Sequence, residues 1–184
     1  MPAFYVLIVQ VPYRFARIQA FLDPWADPSN KGFQVIQSML SFRAGGIWGQ
    51  GIGQGQGKLF FLPEAHTDFT LAVLGEELGF VGVMLVLLLY AFIVYKGFQI
   101  ALKTEQTFPK AVAIGLSLAF GLSVFINFGV VMGLLPTKGL TLPFLSYGGS
   151  SLLVNCFAMG LLMNINNYSQ LHRQKNSFSG MKIK

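Results

Sequence analysis

The chain alternates long apolar runs with short polar ones, and the length of each run bounds what it can do. About 20 helical residues are needed to cross a hydrocarbon core. Residues 69–95, 111–135 and 144–165 are apolar over that length. A fourth run, 3–11, is too short at about 1.5 Å per residue to cross a core of about 30 Å. It reads as the end of a truncated span. A signal peptide is the alternative, but no basic region opens it and no small-residue cleavage site precedes Tyr13-Arg14. The pattern predicts an all-α fold, a polytopic transmembrane helical bundle of three full spans plus a truncated N-terminal one. Its expected divisions are the truncated helix at 1–13, a long extracytoplasmic loop with short interfacial helices at 14–67, the three spans at 68–166 and a basic tail at 167–184.

Composition agrees with this class. Charged residues make up 11% of the chain and hydrophobic ones 53%, whereas about a quarter of an average soluble domain is charged. The net charge of +6 is scattered among the spans and not gathered in one solvated patch, which argues against nucleic acid as a partner. It is better read as topology. Lys96, Lys103 and Lys110 outweigh Glu105 in the link between the first two full spans, and the tail carries Arg173, Lys175, Lys182 and Lys184 without an acid. Both segments should therefore be cytoplasmic, which puts the 14–67 loop and the 136–143 turn together on the outer face. Cys156 is the only cysteine, so neither a disulfide nor a cysteine metal site is available.

The long loop is unusual inside a compact bundle. Phe33, Ile36, Met39 and Leu40 recur in it at helical spacing, and Trp25 and Trp48 stand near the ends of the same stretch. This predicts a short amphipathic helix in the membrane interface. A lid packed on the bundle and a substrate-contacting surface are both compatible with it. Seven glycines between Gly45 and Gly57 resemble a phosphate cradle. There is, however, no G-x-G-x-x-G, and Gly57-Lys58 is followed by Leu59 where a P-loop needs Ser or Thr, so a nucleotide site is rejected.

Candidate chemistry begins at Leu62-Pro63-Glu64-Ala65-His66-Thr67-Asp68, with Pro63 suited to a first helical turn. On a helix advancing 100° per residue, Glu64, Asp68, Ala72, Gly75, Gly79 and Gly82 fall within about 40° of one line. Small residues mark the face that packs on neighbouring helices, so Asp68 should point into the bundle. Lys96 and Asp68 are 28 residues apart, about 42 Å along an axis, which places Asp68 near the outer headgroups. Glu76 and Glu77 fall at the outer edge of the hydrocarbon, where a structural pairing role is expected of them. His66 projects about 160° from the Asp68 line and reads as a loop residue.

The second external segment runs from Pro136-Thr137-Lys138-Gly139-Leu140-Thr141-Leu142-Pro143 into Phe144-Leu145-Ser146-Tyr147-Gly148-Gly149-Ser150-Ser151. Two prolines and a polar start suggest a bent entry facing a polar cavity. Lys138 could neutralise a phosphate there, with Ser146, Ser150 and Ser151 donating hydrogen bonds. A rigid turn whose serines bond neighbouring carbonyls is the other reading. Asn127, within the preceding span, is expected to join helices.

Phe21-Leu22-Asp23-Pro24-Trp25, Leu62 through Phe69, Leu74-Gly75-Glu76-Glu77-Leu78-Gly79 and the Pro136 to Ser151 segment together resemble the SEDS family of FtsW, RodA and SpoVE, and its cell-division branch most closely. The resemblance reaches to about Asn166 and keeps the motif order. It implies a bundle of ten spans, of which this chain would hold the end, and a peptidoglycan glycosyltransferase that polymerises lipid II. It also implies a class B penicillin-binding transpeptidase and other division proteins as partners, and a place in the bacterial cytoplasmic (inner) membrane at the septum. Asp68 matches the family's proposed catalytic carboxylate. It would act as general base while a sugar hydroxyl displaces undecaprenyl diphosphate with inversion.

Glu64, Arg14, Arg17, Lys58 and Lys138, with the three serines, are the candidates to hold the substrate. A divalent cation is compatible with this chemistry, although no ligand cluster demands one. Gly55 and Gly57 depart from the Ser and Gln expected of the family. The earlier spans should complete the cavity, so activity of this chain alone is not implied. A flippase of lipid-linked precursors and a non-catalytic division scaffold are the competing functions.

Overall fold

The computed structural model describes residues 21–26, 28, 32–55, 69–136 and 139–181, with side chains as far as 171. After a 3-10 turn at Pro24–Ala26 come four helices among the described residues: α1 Phe33–Gly45, α2 Thr70–Lys103, α3 Thr107–Val131 and α4 Gly149–Met181. Helices α2 and α3 and the Gly149–Leu171 part of α4 are long and apolar enough to cross a membrane. The all-α expectation therefore holds. The short run at 3–11 lies outside the described residues.

Helices α2 and α3 are joined by a three-residue link, as antiparallel neighbours are. Pro109 falls in the first turn of α3, where its missing N–H costs nothing. At the end of α2, Thr104 Oγ1 donates to Ile100 O at 2.9 Å and Ser169 Oγ of α4 donates to Lys103 O at 3.1 Å. These bonds satisfy carbonyls that a helix end leaves open. The main core gathers Tyr90 of α2, Phe120, Val124, Phe128 and Val131 of α3, and Leu142 of the following turn. The Tyr90 ring lies 5.9 Å from Phe120 and edge-on to Phe128 at 6.4 Å.

Apolarity overestimated two boundaries. The second span stops at Val131 and not at 135, because Gly133 adopts φ 71° and the amides of Leu134 and Leu135 fold back to Gly129 O at 2.7 and 3.0 Å. The third begins at Gly149 and not at 144, because residues 142–146 form a hydrogen-bonded turn.

Helix α1 packs on α2 through small residues. Its buried positions are Val35, Ile36, Ser38, Ser41 and Gly45, while Met39 and Leu40 are exposed. The inward face is thus built largely of small residues, with Met39 and Leu40 on the outer one. The cause is close approach: a Cβ on Gly45 would collide with Gly75 O, and one on Gly75 would come within 2.5 Å of the Phe42 ring. Ser38 Oγ lies 3.0 Å from Val131 O, at the open end of α3. The helix is therefore packed on the bundle.

Helix α2 is not continuous. Gly79 leaves the helical region with φ 67° and ψ −168°. In an unbroken helix the amides of Phe80 and Val81 would donate to the carbonyls of Glu76 and Glu77. Here Phe80 N donates to Gly46 O at 2.9 Å and Val81 N to Ile47 O at 3.2 Å, while Glu76 O and Glu77 O accept from Gln50 N and Gly51 N, both at 3.0 Å. Two helical bonds are exchanged for four bonds to the glycine-rich loop. The loop's glycines serve this stitching, with positive φ at Gly46, Gly49, Gly51 and Gly53. The stripe drawn at uniform pitch therefore fails beyond Gly79. Gly75 stays on the buried side with Ala72, and Gly82 is half-buried.

Candidate functional site at the α2 mouth

The turn that follows α3 is held from several sides. Tyr90 Oη, from the middle of α2, donates to Pro143 O at 2.5 Å. Asn127 Nδ2 donates to Leu140 O, so this residue joins a helix to the turn and not, through that bond, two helices. Leu142 N donates to Ser146 Oγ at 2.9 Å, and Ser146 N donates back to Leu142 O at 3.0 Å. Leu142 and Pro143 are buried. Between these ties Phe144 takes φ 65°, a conformation costing a non-glycine residue about 1–2 kcal/mol. Its ring lies 6.1 Å from that of Phe120. Strain of this kind persists only where the surroundings over-determine it.

The Tyr90 bond gives a direct expectation. Tyr90→Phe keeps the ring and removes the donor, leaving the carbonyl of a buried proline unmatched. Stability should fall by about 1–3 kcal/mol, read as a lower unfolding temperature in detergent.

The turn and the start of α2 border an open cavity of about 550 Å³, lined among the described residues by Thr70, Leu145, Ser146 and Tyr147. Ser146 accepts from a backbone amide, which leaves its hydroxyl proton for a ligand or water. Phe69, the residue after Asp68 in sequence, is buried, as are Leu71 and Ala72. A second cavity of about 420 Å³ lies between α3 and α4, with Thr141, Ser150, Ser151 and Asn155 among its polar lining. Ser151 Oγ accepts from Thr141 Oγ1 at 2.9 Å and from Asn155 Nδ2 at 3.3 Å. Ser146 and Ser151 hold the turn as acceptors, Ser146 borders the first cavity, and Ser150 and Ser151 border the second.

Asp68, Glu64, Arg14, Arg17, Lys58, Lys138 and His66 lie outside the described residues. Glu76 and Glu77 are buried at the helix break. A Cβ on Gly55 would come within 3.2 Å of Glu77 Cγ and 3.3 Å of Glu76 Cδ, so the departure at Gly55 sits against the Glu76 carboxyl group and the stem of Glu77. Among the described residues no group of three or more His, Cys, Asp or Glu comes together to hold a metal ion. Tyr90, Thr70 and Asn155 escaped the sequence reading. The signal for Tyr90 was a hydroxyl inside an otherwise apolar stretch.

A family model described as "Cell cycle protein", covering FtsW, RodA and SpoVE, matches residues 1–171. The chain belongs to the FtsW/RodA/SpoVE family. It is 53% identical over 165 residues to the "Probable peptidoglycan glycosyltransferase FtsW" of Geobacter metallireducens, covering 90% of this chain and 44% of that relative. It is 46% identical over 170 residues to "Stage V sporulation protein E" of Bacillus subtilis, covering 92% of this chain and 46% of that one. A solved structure reported as "Structural coordination of polymerization and crosslinking by a peptidoglycan synthase complex" matches with TM-score 0.67 and 36% identity, over 89% of this chain and 44% of that one. This family member therefore spans less than half the length of these relatives. The likeness agrees with the ordered motifs and with a multi-pass membrane protein.

Proposed function

We propose that this chain carries the catalytic end of a peptidoglycan glycosyltransferase that polymerises lipid II during cell division. The observation that carries the reading is the cavity between Thr70 and Ser146-Tyr147, at the helix start that directly follows Asp68 in sequence. In this reading Asp68 takes the proton of the attacking sugar hydroxyl. The anomeric carbon is attacked from the face opposite undecaprenyl diphosphate, so one displacement inverts its configuration. Ser146 donates to the substrate, and the basic residues Arg14, Arg17, Lys58 and Lys138, with Glu64, surround the diphosphate and sugars. Cations near a departing diphosphate stabilise the charge that develops there. The family relationship to a peptidoglycan synthase complex supports a class B penicillin-binding transpeptidase as partner. The α2–α3 junction, with Lys96 and Lys103 on one helix and Lys110 on the other, and the basic tail are then cytoplasmic, and the α2 mouth faces outward at the septum.

The test is lipid II turnover by the protein purified from its native locus and reconstituted in vesicles. A ladder of glycan polymer is expected, and it should disappear in Asp68→Ala. Movement of labelled lipid II across the bilayer without any polymer would assign the molecule to transport instead.

A further inference from the structure

We infer that the glycine-rich segment 46–52 is a re-entrant wedge, seated in the hydrocarbon of the leaflet farther from Lys96, with Ile47, Trp48 and Ile52 against lipid acyl chains. Between Glu77 and Lys96 lie 18 residues without a charge, a rise of about 27 Å, close to the thickness of a hydrocarbon core of about 30 Å. The core must therefore extend across nearly all of 78–95, and Gly79, Phe80 and Val81 lie inside its far edge. Phe80 and Val81 are the residues whose amides bond Gly46 O and Ile47 O. The loop is held at their depth by its own backbone.

Irregular backbone at that depth is tolerated only when its polar groups are matched. The exchange with the break in α2 matches Gly46 O, Ile47 O, Gln50 N and Gly51 N, and the amides of Gly46 and Gly49 donate to Phe42 O and Gly45 O. Composition agrees: residues 44–57 hold no charge, and charges resume at Arg43 on one side and Lys58 on the other. Exposure agrees as well. Ile47, Trp48 and Ile52 are 63%, 82% and 81% exposed, beside Phe80 at 57% and Val81 at 45%. The loop's apolar side chains continue the exposed apolar surface of the span to which they are bonded, and acyl chain is the occupant that fits this depth and composition.

Tryptophan emission reads the proposal without recourse to activity. The protein from its native locus and its Trp48→Phe variant are reconstituted in phosphatidylethanolamine and phosphatidylglycerol vesicles, with or without phosphatidylcholine brominated on its acyl chains. The difference spectrum between the two proteins isolates Trp48. It should be blue-shifted, lose intensity to the brominated lipid, and resist aqueous iodide. Quenching by iodide in preference to bromine would place Trp48 in water and overturn the wedge. Resistance to both quenchers would place it under protein and overturn it equally. Trp48→Phe changes an exposed side chain, so the comparison does not depend on a destabilised variant.

Discussion

Asp68→Asn is expected to lower the rate of lipid II polymerisation by a factor of about 10²–10⁴, the usual contribution of a positioned general base. The substitution keeps the side chain's size and one acceptor oxygen while removing the charge and the basicity. Substrate affinity should change much less than turnover, because the diphosphate and sugars are held by other groups. Asp68→Glu restores the carboxylate but moves it by roughly a methylene, and misplacement of about 1 Å can cost about 10² in rate. The order wild type, then Asp68→Glu, then Asp68→Asn is the signature of proton abstraction. Equal rates across the three would remove Asp68 from the chemistry.

The second large effect is structural. Gly79→Ala should destabilise the protein by about 4 kcal/mol or more, the range reached when a special backbone position is lost together with buried hydrogen bonds. The added Cβ would collide with Gly49 N and approach Ile47 O within 2.6 Å, at a φ of 67° that alanine disfavours. Either the loop withdraws, orphaning the backbone groups of Glu76, Glu77, Phe80 and Val81, or the strain stays. Gly115→Ala in α3 is the control: nothing lies within 4 Å of its Cβ, and alanine in a helix interior should add about 0.5–1 kcal/mol. Unfolding temperatures in the same detergent compare the pair, and a Gly79→Ala protein as stable as wild type would contradict the stitched break.

How much of this was readable in the sequence depends on the distance over which each feature is decided. Three long spans follow from composition over windows of about 20 residues, and those windows sufficed. The break in α2 did not show, because glycine is compatible with helix and with positive φ alike. What selects the latter is a loop about thirty residues earlier in the chain, whose amides and carbonyls bond across the gap. The same loop looked like a failed phosphate cradle, since glycine spacing reports backbone freedom and not the partner that uses it. The helical spacing of Phe33, Ile36, Met39 and Leu40 pointed to a helix, but which face packs on the bundle is decided by the close approach of Gly45 to Gly75, which that spacing does not report.

The ends of the spans were misjudged for a related reason. Leu134, Leu135, Phe144 and Leu145 are apolar, and hydropathy reports environment, not helicity. Phe144 at φ 65° is a conformation that its residue type argues against. Only the ties from Tyr90, Asn127 and Ser146 explain it, and those span up to 53 positions of sequence. By contrast, the family was readable early, because its motifs are short and keep their order along the chain.

Separating binding from chemistry at the α2 mouth tests the central claim most directly. A photo-crosslinking phenylalanine in place of Tyr147, which is 80% exposed and lines the cavity beside Thr70, is introduced into the wild-type background and into Asp68→Asn. Both proteins are illuminated with labelled lipid II, and polymer is assayed in parallel. Capture of lipid II is expected in both backgrounds, with polymer formed at the full rate only when Asp68 is intact. Undiminished polymer from the Asp68→Asn protein, or no capture at this position in either, would contradict the role given to Asp68.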